Sequence, residues 1–245
     1  MQRIVLTLLV LALFQFSAQA QLGKTLGKLK DQADKVLSGE SPLSDDEVGS
    51  ALKEALNLGV QEAVTFLSAE DGYYTSPYKI LVPEEAQTVL RKVSGLPGFG
   101  NVEAELTLRI NRAAESAAKK AGPIFVNAIK GLTIKDAMNI LMGDQDAATR
   151  YLESNTVQAL TAEFLPVIQQ SLDEVNAREY WRSAVTAYNK IPFVKKTNPE
   201  LDQHVTERAL AGMFTLVEEK EANLRDNPAL RQTELLRKVF ARQDD

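Results

Sequence analysis

The stretch Ser44-Asp45-Asp46-Glu47-Val48-Gly49-Ser50-Ala51-Leu52-Lys53-Glu54-Ala55-Leu56 decides how this chain folds. Its first four residues make a capping box, in which the Ser44 hydroxyl and the Glu47 carboxylate reciprocally satisfy amides that a helix start leaves without partners. Apolar residues then return at 48, 51, 52, 55 and 56, and again at 63, 64 and 67. That is the 3.6-residue period of a helix buried along one face. The same period recurs outward in both directions, while few segments alternate with the period of a strand.

Toward the N-terminus, Gly39 to Pro42 breaks the pattern. Before it, Leu22, Leu26, Leu29, Ala33 and Val36 trace a narrow apolar seam over 21–38, flanked by Lys24, Lys28, Lys30 and Lys35. A seam this narrow suits a partner helix or a lipid surface better than a globular core, so Leu22, Leu26, Leu29 and Val36 are candidates for protein or membrane contact. The alternative is that the seam folds back on the body of the protein. Earlier still come Arg3, an apolar run from Ile4 to Phe16, and small residues at Ala18 and Ala20. These are the parts of a Sec-type signal peptide over 1–20, and the run is too short to span a bilayer. Cleavage is expected after Ala20, which leaves Gln21 first and places the product in the periplasm or outside a bacterial cell.

Toward the C-terminus, the one long non-helical stretch is Asp71 to Val82. Pro83-Glu84-Glu85 opens a helix that ends at Gly95 to Gly100. Asn101 is expected to cap a helix through Leu106, Ile110, Ala113, Ala114 and Ala117. Thr133 to Asp136 starts a short helix ending at Gly143, and Asp144 or Asp146 is expected to cap another. Further helices are read near 156–175, 178–189, 200–223 and 228–242. No repeat, low-complexity tract or flexible linker appears. The reading is an all-α protein, with a single compact multi-helix domain over 44–242.

Composition narrows the function. Lys and Arg number 28 against 33 Asp and Glu, a net charge of −5, which opposes general nucleic-acid affinity. The absence of cysteine excludes a disulfide framework, thiol catalysis and thiolate metal sites. The mature length of about 225 residues is enough for one good core.

Several apparent motifs dissolve on inspection. Gly23-Lys24-Thr25 resembles the tail of a phosphate-binding loop, but Ala18 stands where the first glycine belongs. Gly98-Phe99-Gly100 has Glu103 at the third glycine position of a dinucleotide fingerprint. Asp144-Gln145-Asp146 begins like a calcium loop, yet Ala148, Thr149 and Asn155 stand at later ligand or glycine positions, so N-capping is the better account. His204 is the sole histidine and is read as surface or packing. No metal or cofactor is expected.

Two features remain as candidates for a ligand site. Asn111-Arg112 and Glu115 stand out, and of these Arg112 and Glu115 lie three apart on an alanine-rich helix, where charges risk burial; they form either an ion pair tying helices together or a polar anchor in a pocket. Tyr73, Tyr74 and Tyr78 crowd the long loop, where they either line a binding mouth or pin the loop to the core. A second aromatic group, Tyr180-Trp181, Tyr188 and Phe193, has helical spacing and reads as core.

Short motifs spread over the chain carry a family resemblance. They include GSALKEALNLG at 49–59, Gly72-Tyr73, ILVPEE at 80–85, NRAAE at 111–115, Gln158 to Thr161 with Phe164 and Pro166, Tyr180-Trp181, Tyr188-Asn189-Lys190 and Thr197-Asn198-Pro199. Ala209-Leu210, Gly212-Met213-Phe214, Asn227-Pro228 and Leu235 to Phe240 complete the set. Over about 44 to 241 the chain resembles the bacterial exported family catalogued as domain of unknown function 4197. The resemblance implies an all-helical fold and an exported product, and it brings no catalytic residue with it. The functional expectation is a non-enzymatic binding or interaction protein, either a carrier for a small apolar or amphipathic ligand or an envelope scaffold. The alternative is a hydrolase or transferase using carboxylate, lysine or tyrosine groups.

Overall fold

The computed structural model describes residues 44–83, 87, 101–174, 176–190, 192, 193, 196, 198 and 200–241. The expected signal peptide, the 21–38 helix with Leu22, Leu26, Leu29 and Val36, and most of the 84–100 helix lie outside the described residues. Of the last, Gln87 is helical and its amide donates to the Pro83 carbonyl at 3.2 Å.

The fold is all-α, with no strand among the described residues. Helix α1 runs Asp45–Ser68 and buries Val48, Ala51, Leu52, Ala55, Leu56, Val60, Ala63 and Leu67. Val64, expected in that face, is only half-buried, and Val60 takes the core position. Helix α2, Val102–Ala118, presents Ile110, Ala113, Ala114, Ala117 and Ala118, all with no exposed surface. Methyl-sized side chains let neighbouring backbones approach closely, which suits a core packed at crystal-like density.

Helix α3, Ala121–Lys130, follows after a two-residue joint and buries Phe125 and Ile129. Gly122 and Pro123 hide it in the sequence, because together they read as a break; here Pro123 occupies the first turn, where its missing N–H costs nothing. Helix α4, Ile134–Leu141, starts on a capping box formed by Thr133 and Asp136. Its hydroxyl accepts from the Asp136 amide at 3.2 Å, and the carboxylate accepts from the Thr133 amide at 3.0 Å.

The longest element among the described residues is α5, Ala147–Asp173, one helix where the periodicity suggests two. It buries Leu152, Leu160, Phe164, Ile168 and Leu172 against α2, α3 and the core helix α7, Leu201–Asp226. Between them α6, Ala177–Asn189, contributes Trp181 and Val185 to the core. Phe193, expected to join that aromatic group, instead stands fully exposed at a positive φ of 66°. The expected 228–242 helix is split. Pro228–Leu230 forms a 3₁₀ turn, and α8 starts at Glu234 behind a Thr233 cap that accepts from the Leu236 amide, ending at Phe240.

Two expected side-chain caps do not form. Asn101 precedes α2 without a side-chain cap bond, and neither Asp144 nor Asp146 caps α5, since Arg150 draws both carboxylates into ion pairs. The start of α5 is satisfied from α7 instead. Glu221 accepts from the Ala148 amide at 2.9 Å, the Thr149 amide at 2.8 Å and the Thr149 hydroxyl at 2.8 Å. One turn on, Arg225 pairs with Glu221 at 2.9 Å and donates to the Ile140 carbonyl at 2.9 Å, at the C-terminal end of α4. The anion thus meets a helix N-terminus and the cation a helix C-terminus, as the macrodipole favours. Both side chains are enclosed, at 7% and 4% exposure. Arg231 completes the hub, its guanidinium donating to the Leu224 and Arg225 carbonyls at 3.2 and 2.7 Å.

Removing one member of a buried pair leaves the other uncompensated. Glu221→Ala and Arg225→Ala should each lower stability by about 3 kcal/mol or more in chemical denaturation. The double variant should cost less than the two added, because they share partners.

Candidate functional site

The candidate residues meet where the 69–83 loop crosses α2 and α7. The loop leaves α1 through successive turns, with the Gly72 amide donating to Ala69, the Thr75 amide to Asp71 and the Ser76 amide to Tyr73. Gly72 is required there. A Cβ at this position would run into the Phe66 carbonyl and come within 2.9 Å of Leu67. Asp71 adopts a φ of 68°, a left-handed conformation that aspartate tolerates better than most residues.

Helix α2 holds the loop with a polar stripe on an otherwise apolar face. Asn111, fully buried, accepts from the Ile80 amide at 2.9 Å and donates to the Ile80 carbonyl at 2.8 Å, with a further bond to the Thr107 carbonyl at 2.7 Å. One turn later Glu115 accepts from the Tyr73 and Tyr74 amides, both at 3.2 Å, through one oxygen. Its other oxygen takes the Arg112 guanidinium at 2.7 Å. Arg112 also donates to Asp71 at 2.8 Å and Glu70 at 3.3 Å. The hydrogen bond to Glu115, then that to Asp71, hold Arg112 more firmly charged. The enclosed member of the pair is Glu115, with 5% of its side chain exposed against 33% for Arg112.

The three tyrosines separate. Tyr73 is fully buried, and its hydroxyl donates to the Ala209 carbonyl of α7 at 2.7 Å. Burial, and then the charge of Glu115, push its phenol far above the ordinary range. Tyr74 is half-buried beside Arg112, with the Lys79 ammonium 4.2 Å from its ring centre, a cation–π arrangement. Tyr78 lies against α7, donating to Glu219 at 2.8 Å and meeting Phe66 edge to face at 6.4 Å. Desolvation, followed by its bond to Glu219, raises its phenol as well. Gly212 of α7 makes room for the two outer tyrosines, since a Cβ there would sit 3.2 Å from Tyr78 and 3.3 Å from Tyr73.

Tyr73, Tyr74, Arg112 and Glu115 therefore form one cluster, and Tyr78 belongs to a separate contact. Sequence reasoning singled out Asn111 beside Arg112 without its partner Ile80, and passed over Asp71 and Glu219. Thr107, Asn111 and Glu115, four apart on a buried face, are the signal that could have assigned Asn111 to the core. His204 approaches the Leu81 carbonyl at 3.2 Å. No group of three or more acidic or histidine side chains suited to a metal occurs among the described residues.

The opening with the most apolar lining among the described residues is elsewhere. A cleft of about 160 Å³ lies between α1, α7 and α8, lined by Leu52, Leu56, Val60, Val217, Leu224 and Phe240. At its rim Lys220 pairs with Glu62 at 2.9 Å. Its floor is closed by the Glu221 and Arg225 pair. Leu230, at the edge, is 46% exposed.

Because Glu115 is enclosed and Arg112 is its cation, Arg112→Ala should destabilise by about 1–2 kcal/mol, above the ~0.5 kcal/mol usual for an exposed pair. Chemical denaturation measures this, and an unchanged midpoint would show that the two loop amides satisfy Glu115 without the arginine.

The model of one protein family, described as Protein of unknown function (DUF4197), matches residues 42–241. No curated protein and no solved structure matches the chain. The match takes in every described helix, the clamped loop and the Glu221 hub, and the chain belongs to that family.

Proposed function

We propose that this is an exported, non-enzymatic binding protein of the bacterial envelope, taking the apolar end of a small amphipathic molecule into the cleft between α1, α7 and α8. The observation that carries the reading is the composition of that cleft, with leucine, valine and phenylalanine walls above a self-paired Glu221–Arg225 floor and one lysine–glutamate pair at the mouth. Its size of about 160 Å³ suits a ring or a short alkyl segment and falls below the roughly 300 Å³ at which drug-sized pockets begin. Lys220 at the rim offers a partner for an anionic head group.

Against catalysis at the loop cluster stands the engagement of its polar groups. Glu115 accepts two amides and a guanidinium, and Tyr73 donates to a backbone carbonyl. A general acid or base needs a proton position facing substrate, and these groups face backbone groups and the Arg112 guanidinium. The signal-peptide features at Arg3, Ile4 to Phe16, Ala18 and Ala20 support the envelope address. No described helix is long and apolar enough to cross a membrane.

Mass spectrometry of protein purified from its native envelope should find Gln21 at the N-terminus and a small amphipathic molecule released on denaturation. Octanoate should then bind the stripped protein with one-to-one stoichiometry in calorimetry. Leu56→Trp, which fills the cleft, should abolish that binding, and Lys220→Ala should weaken it roughly threefold. A stripped protein that binds no octanoate, together with no co-purifying molecule, would contradict the reading.

A further inference from the structure

At the other end of α7, about five turns from the cleft, the first turn carries a carboxylate whose surroundings are incomplete. Asp202 is only 4% exposed. Its Oδ2 accepts from Gln169 at 2.6 Å and from Arg178 at 3.3 Å, while its Oδ1 is buried without a hydrogen-bond partner among the described residues. An ionised oxygen in that position loses hydration with nothing in return, a cost that native proteins seldom leave standing. Arg178 does little to offset it, because that guanidinium is held chiefly by Asp173.

Asp202 lines a hollow of about 430 Å³ together with Gln169, Glu200 and Glu207. A neighbouring hollow of about 210 Å³ shares Glu200 and Glu207 and is lined also by Trp181, Lys196 and His204. The Trp181 indole N–H is a second buried polar group with no partner among the described residues. The two buried polar atoms without partners thus belong to residues that line adjoining hollows, each just beneath a surface open to solvent. Around them, among the described residues, stand the four carboxylates of Asp173, Glu200, Asp202 and Glu207 against three cations, Arg178, Arg182 and Lys196, with Arg182 paired with Glu200 at 3.0 Å and His204 on the lining of the smaller hollow.

We propose that this hollow binds a linear organic polyamine, with one ammonium group donating to Asp202 Oδ1 and others reaching Glu200 and Glu207. A metal ion fits less well. The carboxylates do not converge into a set of three that could hold one among the described residues, and a compact ion requires its ligands at a single point. Ammonium groups spaced along a methylene chain can meet separated carboxylates one at a time. The volume also accommodates a chain of that kind.

Trp181 is the only tryptophan in the chain, so its fluorescence reports on this place alone. Spermidine added to the mature full-length protein should change that fluorescence saturably, and sodium chloride at matched ionic strength should not. Asp202→Asn, which keeps the shape and removes the charge, should weaken binding roughly tenfold or more. Should that variant fail to fold, Glu207→Gln at the exposed rim serves instead and should weaken binding several-fold. The proposal is overturned if the neutralised variant keeps wild-type affinity or if sodium chloride reproduces the response. It is equally overturned if magnesium ion saturates the signal in place of spermidine, or if spermidine gives no saturable change up to about 10 mM, which would leave water as the partner of Asp202.

Discussion

The Glu221–Arg225 pair is the contact on which the arrangement of helices depends. A helix end carries four unmatched amides or carbonyls, and burying it without partners is costly. Helices α4 and α5 both terminate against α7, within a few residues of each other along the chain. Glu221 and Arg225, one turn apart on α7, answer both ends at once with charges of the matching sign. The register of α5 against α7 is fixed by this bond set as well as by apolar packing. A slip of one residue would take the carboxylate off the amides and leave an enclosed charge on each side.

A second polar lock works by the same logic at the 69–83 loop. The 69–83 loop has no ladder or helix to satisfy its backbone, so side chains of α2 supply the partners. Asn111 treats the Ile80 peptide as a strand neighbour would, with one bond in each direction, and Glu115 collects the amides of Tyr73 and Tyr74. Tyr73 then carries the loop across to α7 through the Ala209 carbonyl. Of the two roles open to the loop tyrosines, lining a mouth or pinning the loop, Tyr73 takes the second. The more open places are those that α7 leaves at its two ends, the apolar cleft near Val217 and the acidic hollow near Asp202.

Legibility in the sequence followed the range of the interaction. Features set by local periodicity were readable: the apolar face of α1, the alanine face of α2, the Thr133–Asp136 box and the burial of Trp181. Features set by a distant partner were not. Asp146 has the chemistry of a cap, yet the cap comes from Glu221, more than seventy residues away, and Arg150 holds the aspartate instead. Helix α3 was hidden because Gly122-Pro123 breaks a helix in its interior and is harmless in its first turn. The 228–242 periodicity was real, but Arg231 turns inward to close α7 and interrupts it. At the candidate site, the closeness of Arg112 and Glu115 was legible from their i,i+3 spacing. The capture of Asp71, Tyr73 and Tyr74 by that pair was not, since it rests on a loop returning from about forty residues earlier.

The claim that α7 side chains secure the start of α5 is tested most directly by native-state hydrogen exchange at the Ala148 and Thr149 amides. Amides at a frayed helix start exchange through local opening at little cost, whereas amides bonded to an enclosed carboxylate exchange only when the core opens. The account predicts that these two amides are protected to the same free energy as the central amides of α5 and α7. Protection several kcal/mol lower, as at a solvated helix end, would contradict it.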